Sequence, residues 1–371
     1  MLVENTSRVF QSRMNNQQST MEPLCRNSDT LLPMPDFSIG VDLGGTNLRI
    51  AAITTDGQML EKITLGVKLA LGRDYVIGEM CDAILRLTDK YRASGKFIGA
   101  GIGVPGIIDM ETGMMRKSAN LPGWSEYPVR DEIERRLGTR VFLNNDAKVA
   151  ALGEQWLGAG RGVDNLAMIT LGTGIGGAII LNGKIFYGMN GMAGEFGHVT
   201  IEPNGVPCGC GNHGCAERYA SATALVRMAR EAIESGNAPA LAKLASSGGE
   251  FSAQSIYNLA IQGHEDAQRI FDRFGAVLGM LLADLVNVLN LDVFVIGGGV
   301  VSAWDAFAPP MFAELRERSL IYAATAPEDP LGKREGASAQ VATYTHKKTI
   351  ITRALLGSDA GLYGAARIPM S

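Results

Sequence analysis

One pattern occurs twice in this chain and fixes much of what it can fold into. Residues 38–42 form a short apolar run, Gly44-Gly45-Thr46 interrupts it, residues 48–54 resume it, Asp56-Gly57 marks a turn, and residues 58–65 continue. More than 120 residues later the series returns: 166–171, a glycine turn over 172–177, then 178–181, the Asn182-Gly183 turn and 184–187. Asp-Gly and Asn-Gly between apolar runs signal hairpins, because such turns need positive φ at their central residues. Two strand–glycine turn–strand–hairpin–strand units in one chain predict a duplicated lobe more readily than two unrelated hairpins.

Elsewhere helical and strand patterns alternate, which predicts an α/β architecture. Helices are expected over residues 74–94, 129–137, 146–157, 221–235 and 268–289, with a last one over 350–367. Strands are expected over 97–104, 140–144 and 293–296. A chain of 371 residues is long for one ordinary core and suits two lobes. The expected division is a small lobe of residues 37–145 with about 355–371, and a large lobe of 146–354. The first 36 residues are rich in Asn, Gln, Ser, Thr and Met and read as a disordered extension, with a partner-binding arm as the alternative.

Charge excludes some functions. Lys and Arg total 34 against 38 Asp and Glu, so no basic surplus points to nucleic acid. The most apolar stretch, residues 276–301, is interrupted by Asp284, Asn287, Asn290 and Asp292 and does not read as a membrane span. The first 36 residues hold no apolar signal core, and the expected location is cytoplasmic. Of five cysteines, Cys25 and Cys81 stand alone, while Cys208, Cys210 and Cys215 fall within eight residues on a glycine-rich loop. Such a cluster, without an export signal, favours a metal over disulfides. Three thiolates suit a closed zinc site, with His198 or His213 as the fourth ligand. A redox-active thiol loop is the metal-free alternative.

Three glycine turns at strand ends offer converging N–H donors of the kind a phosphate needs. They are Gly44-Gly45-Thr46, Gly172-Thr173-Gly174 with its continuation to Gly177, and Gly297-Gly298-Gly299. None is a Walker A loop, since no Gly-Lys-Ser/Thr follows. The second fits G-x-G-x-x-G in part, yet leads into a strand, which argues against a dinucleotide site. Asp42, just before the first turn, either orients a magnesium-bound water or stabilises the turn through its own backbone.

Several motifs together resemble the ROK family of repressors, open reading frames and sugar kinases. They are Asp42-Leu43-Gly44-Gly45-Thr46-Asn47, Asn144-Asn145-Asp146-Ala147, the stretch Leu171 to Gly177, Gly194-Glu195-Phe196-Gly197-His198, and the cysteine loop from Cys208 through Cys215 to Glu217 and Ser221. The resemblance spans residues 37–367 and is strongest to the bacterial glucokinases of the family. It implies the duplicated actin/hexokinase-like (ribonuclease H-like) fold, with two lobes and a cleft between them that closes on substrate. It implies transfer of the γ-phosphate of ATP, with Mg2+, to the 6-hydroxyl of glucose. Asp146 then accepts the hydroxyl proton, although an N-cap is the plain alternative for an Asp opening a helix. Gly106, Asn120, Asn145, Asp146, Glu195, His198 and Glu217 surround the sugar. Asp42, Gly44, Gly45, Thr46, Gly172, Thr173, Gly174 and Gly297 to Gly299 serve ATP. Zinc takes His198, Cys208, Cys210 and Cys215, which leaves His213 as an exposed loop residue. The family also implies a homodimer or tetramer.

Other readings stay open at this stage. Another hexose or an N-acetylhexosamine would suit the same site, and polyphosphate the same donor role. A sugar-responsive regulator would need a DNA-binding segment, for which 36 polar residues are too few. A zinc-dependent binding module leaves the three glycine turns without a purpose.

Overall fold

The computed structural model describes residues 35–118, 120–331 and 347–371. The extension expected over residues 1–36 lies, up to residue 34, outside them. A first sheet is built from β1 (Phe37–Leu43), β2 (Asn47–Thr54), β3 (Met59–Gly66), β4 (Phe97–Val104) and β7 (Val141–Asn145), in the order β3-β2-β1-β4-β7. Between its last two strands β5 (Ile107–Ile108) and β6 (Met115–Lys117) form a small separate ribbon. A second sheet uses β8 (Leu166–Leu171), β9 (Ile175–Leu181), β10 (Lys184–Ile185), β11 (Val293–Gly297) and β12 (Ile350–Arg353), in the order β10-β9-β8-β11-β12.

The two sheets repeat one plan. In each, the first three strands pair antiparallel and the last two join in parallel. The repeat therefore covers all five strands, two more than the glycine-turn units alone. The chain has a duplicated α/β fold of the actin/hexokinase-like type.

Two local expectations need correction. Residues 350–353, expected at the start of the last helix, form β12, paired parallel with β11 from Val293↔Ile350 to Ile296↔Arg353. The run Thr349-Ile350-Ile351-Thr352 is β-branched throughout, and such side chains fit a pleated sheet better than a helix. The second glycine turn is also shorter than expected. Gly176 and Gly177 belong to β9, because Leu171 already pairs with Ile175 across a three-residue turn.

Helices cover the sheets. They are α1 (Arg73–Tyr91), α2 (Val129–Leu137), α3 (Asp146–Leu157), α4 (Ala222–Glu234), α5 (Pro239–Ser246), α6 (Ala253–Ile261), α7 (Glu265–Leu289), α8 (Trp304–Arg318), α9 (Leu320–Thr325) and α10 (Ala360–Arg367). Phe271, Phe274 and Phe307 interlock α7 with α8, with the Phe274 and Phe307 rings 5.2 Å apart. Helix α10 lies directly on β1 and β4. A Cβ on Gly40 would stand 2.1 Å from the Leu362 carbonyl oxygen, and one on Gly101 1.9 Å from that of Ala365. Only glycine permits so close a seat. Buried Glu154 of α3 ties this helix to the chain leading into α10: its carboxylate accepts from the N–H groups of Ala159 (2.7 Å), Leu355 (3.0 Å) and Leu356 (2.8 Å).

Candidate active site

The parallel strands deliver the site residues at their carboxyl ends. β7 ends in Asn144-Asn145, and Asp146 opens α3. The helix cap is Asn145, whose Oδ1 accepts from the N–H groups of Ala147 (3.0 Å) and Lys148 (3.3 Å). Its Nδ2 donates to the Gly106 carbonyl at 3.1 Å, so most of this amide serves the backbone. With the cap supplied by its neighbour, Asp146 keeps Oδ2 unengaged, while Oδ1 accepts from the Ala147 N–H at 2.9 Å. Burial pushes its pKa up from the ordinary carboxylate range to about 6, and the charges of Asp42 and Glu195 push the same way against the backbone bond to Ala147. A carboxylate poised near neutral pH suits a general base.

Asp42 sits near the end of β1. Its Oδ2 accepts from Arg49 at 3.1 Å, and it abuts Gly361 at the start of α10, where a Cβ would come within 2.8 Å of its carboxyl carbon. Burial raises its pKa, Arg49 opposes that rise, and Asp359 adds to it. Gly44, Gly45 and Thr46 follow directly, with the Gly44 N–H donating to the Asn47 carbonyl. Exposed Asn120 lies beside this turn, about 3.7 Å from where a Gly45 Cβ would be.

The other two glycine turns meet across one cavity of about 250 Å³ at the ends of β8 and β11. Gly172, Thr173 and Gly299 form its polar side, while Leu225, Tyr257, Phe271 and Val300 supply an apolar side. Gly297 closes β11, and Gly298 takes φ 90°, where a Cβ would come 2.3 Å from the Leu171 carbonyl oxygen. The cavity thus sets the backbone of two glycine turns beside an apolar recess. Its apolar lining comes from α4, α6 and α7, far away in sequence, and sequence reasoning did not find it.

Glu217 joins this turn to the cysteine loop. Its Oε2 accepts from the Ile175 N–H at 2.9 Å and lies where a Gly174 Cβ would have to go. Glu195 and Gly106 line a small recess together with Asn145 and Lys148. Lys148 went unremarked in the sequence because lysine is ordinarily a surface residue; here it is 2% exposed.

His198, Cys208, Cys210 and Cys215 converge, with one ligand atom of each lying within 4.8 Å of every other. The Cys210 and Cys215 sulfurs are 3.7 Å apart, and Cys208 Sγ is 3.7 Å from His198 Nδ1. A tetrahedral zinc with Zn–S bonds of about 2.3 Å spaces its sulfurs about 3.8 Å apart, so the donor set has the size of that ion. Among the described residues His213 is exposed and stands outside the cluster. Burial pushes the Cys215 thiol up to about 12, while the Asn212 backbone N–H lowers that of Cys210. No helix of the described residues is long and apolar enough to cross a membrane.

Fold and site together define a kinase of the actin/hexokinase-like class, with three glycine turns and the Asp146 carboxylate at the ends of its strands. The ROK family profile matches residues 38–344, and the chain belongs to that family. It is 38% identical over 330 residues to a glucokinase of Thermotoga maritima, covering 89% of this chain and 96% of the relative. A glucokinase of Halalkalibacterium halodurans is 37% identical over 328 residues, covering 88% and 92%. Among solved structures, a ROK family glucokinase from Streptomyces griseus in complex with glucose and AMPPNP superposes with a TM-score of 0.70 at 31% identity, covering 90% of this chain and 98% of that one.

Proposed function

We propose that this protein is an ATP-dependent glucokinase, transferring the γ-phosphate to the 6-hydroxyl of glucose. The observation that carries the reading is Asp146. It is half-buried at the end of β7, relieved of capping by Asn145, and held near pKa 6 beside the recess of Gly106 and Glu195. An alcohol attacks a phosphorus centre well only as its proton leaves, and the Asp146 carboxylate is the acceptor. Glucose lies among Gly106, Asn120, Asn145, Glu195, His198 and Glu217. The triphosphate runs along Gly44-Gly45-Thr46 and Gly172-Thr173-Gly174, and the base enters the cavity floored by Gly299. Asp42, with Oδ1 left over from its Arg49 bond, orients a water on the magnesium that ATP brings.

The cysteine cluster fits a structural zinc ion. Four protein donors fill a tetrahedral site, and the metal then serves to fix side chains rather than to activate water. Because His198 Nδ1 faces the thiols, its Nε2 is left to meet a sugar hydroxyl in one tautomer. Glu217, two residues after Cys215, is held against the Gly172–Gly174 turn by the same loop. The division into lobes of 37–145 with 355–371 and of 146–354 gives the cleft its two jaws, and closure would exclude water from the transfer. A coupled assay with glucose, mannose, fructose, N-acetylglucosamine and N-acetylmannosamine, each with ATP and with polyphosphate, tests the reading. Glucose with ATP is expected to give the highest kcat/KM. A higher value for an N-acetyl sugar would move the assignment to a hexosamine kinase, and one for polyphosphate would change the donor.

A further inference from the structure

Lys148 is the third residue of α3 and is 2% exposed. Taking an ammonium out of water costs several kcal/mol unless a partner compensates. Among the described residues none does so: the Lys148 ammonium makes no ion pair within 4.0 Å and no hydrogen bond, and only its backbone N–H is engaged, by Asn145. The side chain instead lines the recess that holds Gly106, Asn145 and Glu195. Glu195 and Asp146 are the charges that act on it, and both favour the ammonium form, while burial opposes it.

A lysine whose task was to neutralise Glu195 would close on it. Here the donor and the carboxylate face one recess without touching. The group that satisfies both is a hydroxyl, which accepts from an ammonium and donates to a carboxylate at once. Residues two apart on a helix do not share a face, so Lys148 addresses a different part of the ligand from the one Asp146 meets.

We propose that Lys148 is a sugar-binding residue, whose ammonium donates to a ring hydroxyl of the hexose other than the one phosphorylated, while Glu195 accepts from that same hydroxyl. This rests on the sugar-kinase reading of the pocket. It makes the lysine a determinant of specificity, because a sugar lacking that hydroxyl leaves an ammonium buried without a partner.

Lys148→Met keeps the length of the side chain and removes the charge. The KM for glucose is expected to rise about tenfold to a hundredfold, as for loss of a charged hydrogen bond, with kcat within a few-fold of the original. The melting temperature should hold or rise, since an unpaired buried charge is gone. With a series of monodeoxyglucoses, one sugar should be handled equally by both proteins, because the hydroxyl that Lys148 serves is already missing. An unchanged KM, or losses that add for every deoxy sugar, would overturn the proposal, as would a fall in kcat alone. Should the Met variant not fold, Lys148→Gln retains a donor and is expected to give a smaller rise in KM with the same deoxy-sugar partner; additive losses there also overturn it. If the unaltered protein phosphorylates no hexose, the parent reading fails instead.

Discussion

Replacing Asp146 with Asn tests the chemistry most directly. The substitution preserves shape, and an amide oxygen can still accept from the Ala147 N–H, so the start of α3 should be unchanged. What goes is the acceptor for the hydroxyl proton. A positioned general base contributes about 10²–10⁴ in rate, equivalent to about 2.7–5.5 kcal/mol of barrier. The expected loss in kcat lies in that range, with KM for glucose little altered. The pH profile of the unaltered protein adds a second readout. The base must be ionised, and with a pKa of about 6 its kcat/KM should fall on the acid side, to about a tenth at pH 5. Stability should move the other way. Folding raises this carboxyl from 3.8 to about 6, so the folded state disfavours the charge at neutral pH by about 3 kcal/mol. A group whose pKa is raised by folding destabilises the protein above its folded pKa, and the effect fades as pH falls from about 6 to 3.8. Asp146→Asn should therefore melt at a higher temperature at pH 7.5, with the gain shrinking towards pH 4. Near-normal turnover in the variant, or a flat acid limb in the parent, would refute the role of Asp146.

Other substitutions probe the supports of the site. His198→Ala should lower zinc content, read by elemental analysis, and raise the KM for glucose, whereas His213→Ala should retain both; metal loss in the His213 variant would reverse the ligand assignment. Gly174→Ala places a methyl 2.1 Å from Glu217 Oε2. It should force the carboxylate off the Ile175 N–H, weakening glucose binding and costing about 1–3 kcal/mol in urea unfolding; an unchanged midpoint would mean the turn yields instead. Glu154→Gln turns one carboxylate oxygen into an NH2 facing backbone donors, and should cost a further amount of about 1–3 kcal/mol by the same measurement, with kcat affected less than stability.

The sequence carried the duplication because its signals are local. Glycine turns and Asp-Gly or Asn-Gly hairpins are set by φ, and the structure puts Asn182 and Gly183 at positive φ. The fifth strand of the second sheet was harder to read. Residues 350–353 form only a short run before α10, and their partner β11 lies over fifty residues back. At the site, the cysteine cluster was legible, since three of its four donors fall within eight residues of one loop and His198 lies only ten residues before them. The cavity between the second and third glycine turns was not, because Leu225, Tyr257 and Phe271 come from three helices and look like ordinary core residues. Lys148 was invisible for a different reason. Its meaning lies in being buried without a partner, which no spacing reports.

The glycine-notched seat of α10 has a bearing on how the chain is made. β1 and β4 present Gly40 and Gly101 to a helix translated more than 250 residues after β4. Until that helix arrives, only α3 among the described helices covers that face of the first sheet, with Val149 set against Gly103 of β4. Domains ordinarily fold in order of synthesis, the N-terminal one first. Here both sheets wait on the last stretch of chain, the second for β12 and the first for α10. The part of the chain made first is thus finished only when the last helix has been made, and loss of that short C-terminal helix would uncover Gly40 and Gly101 at the far end of the sequence.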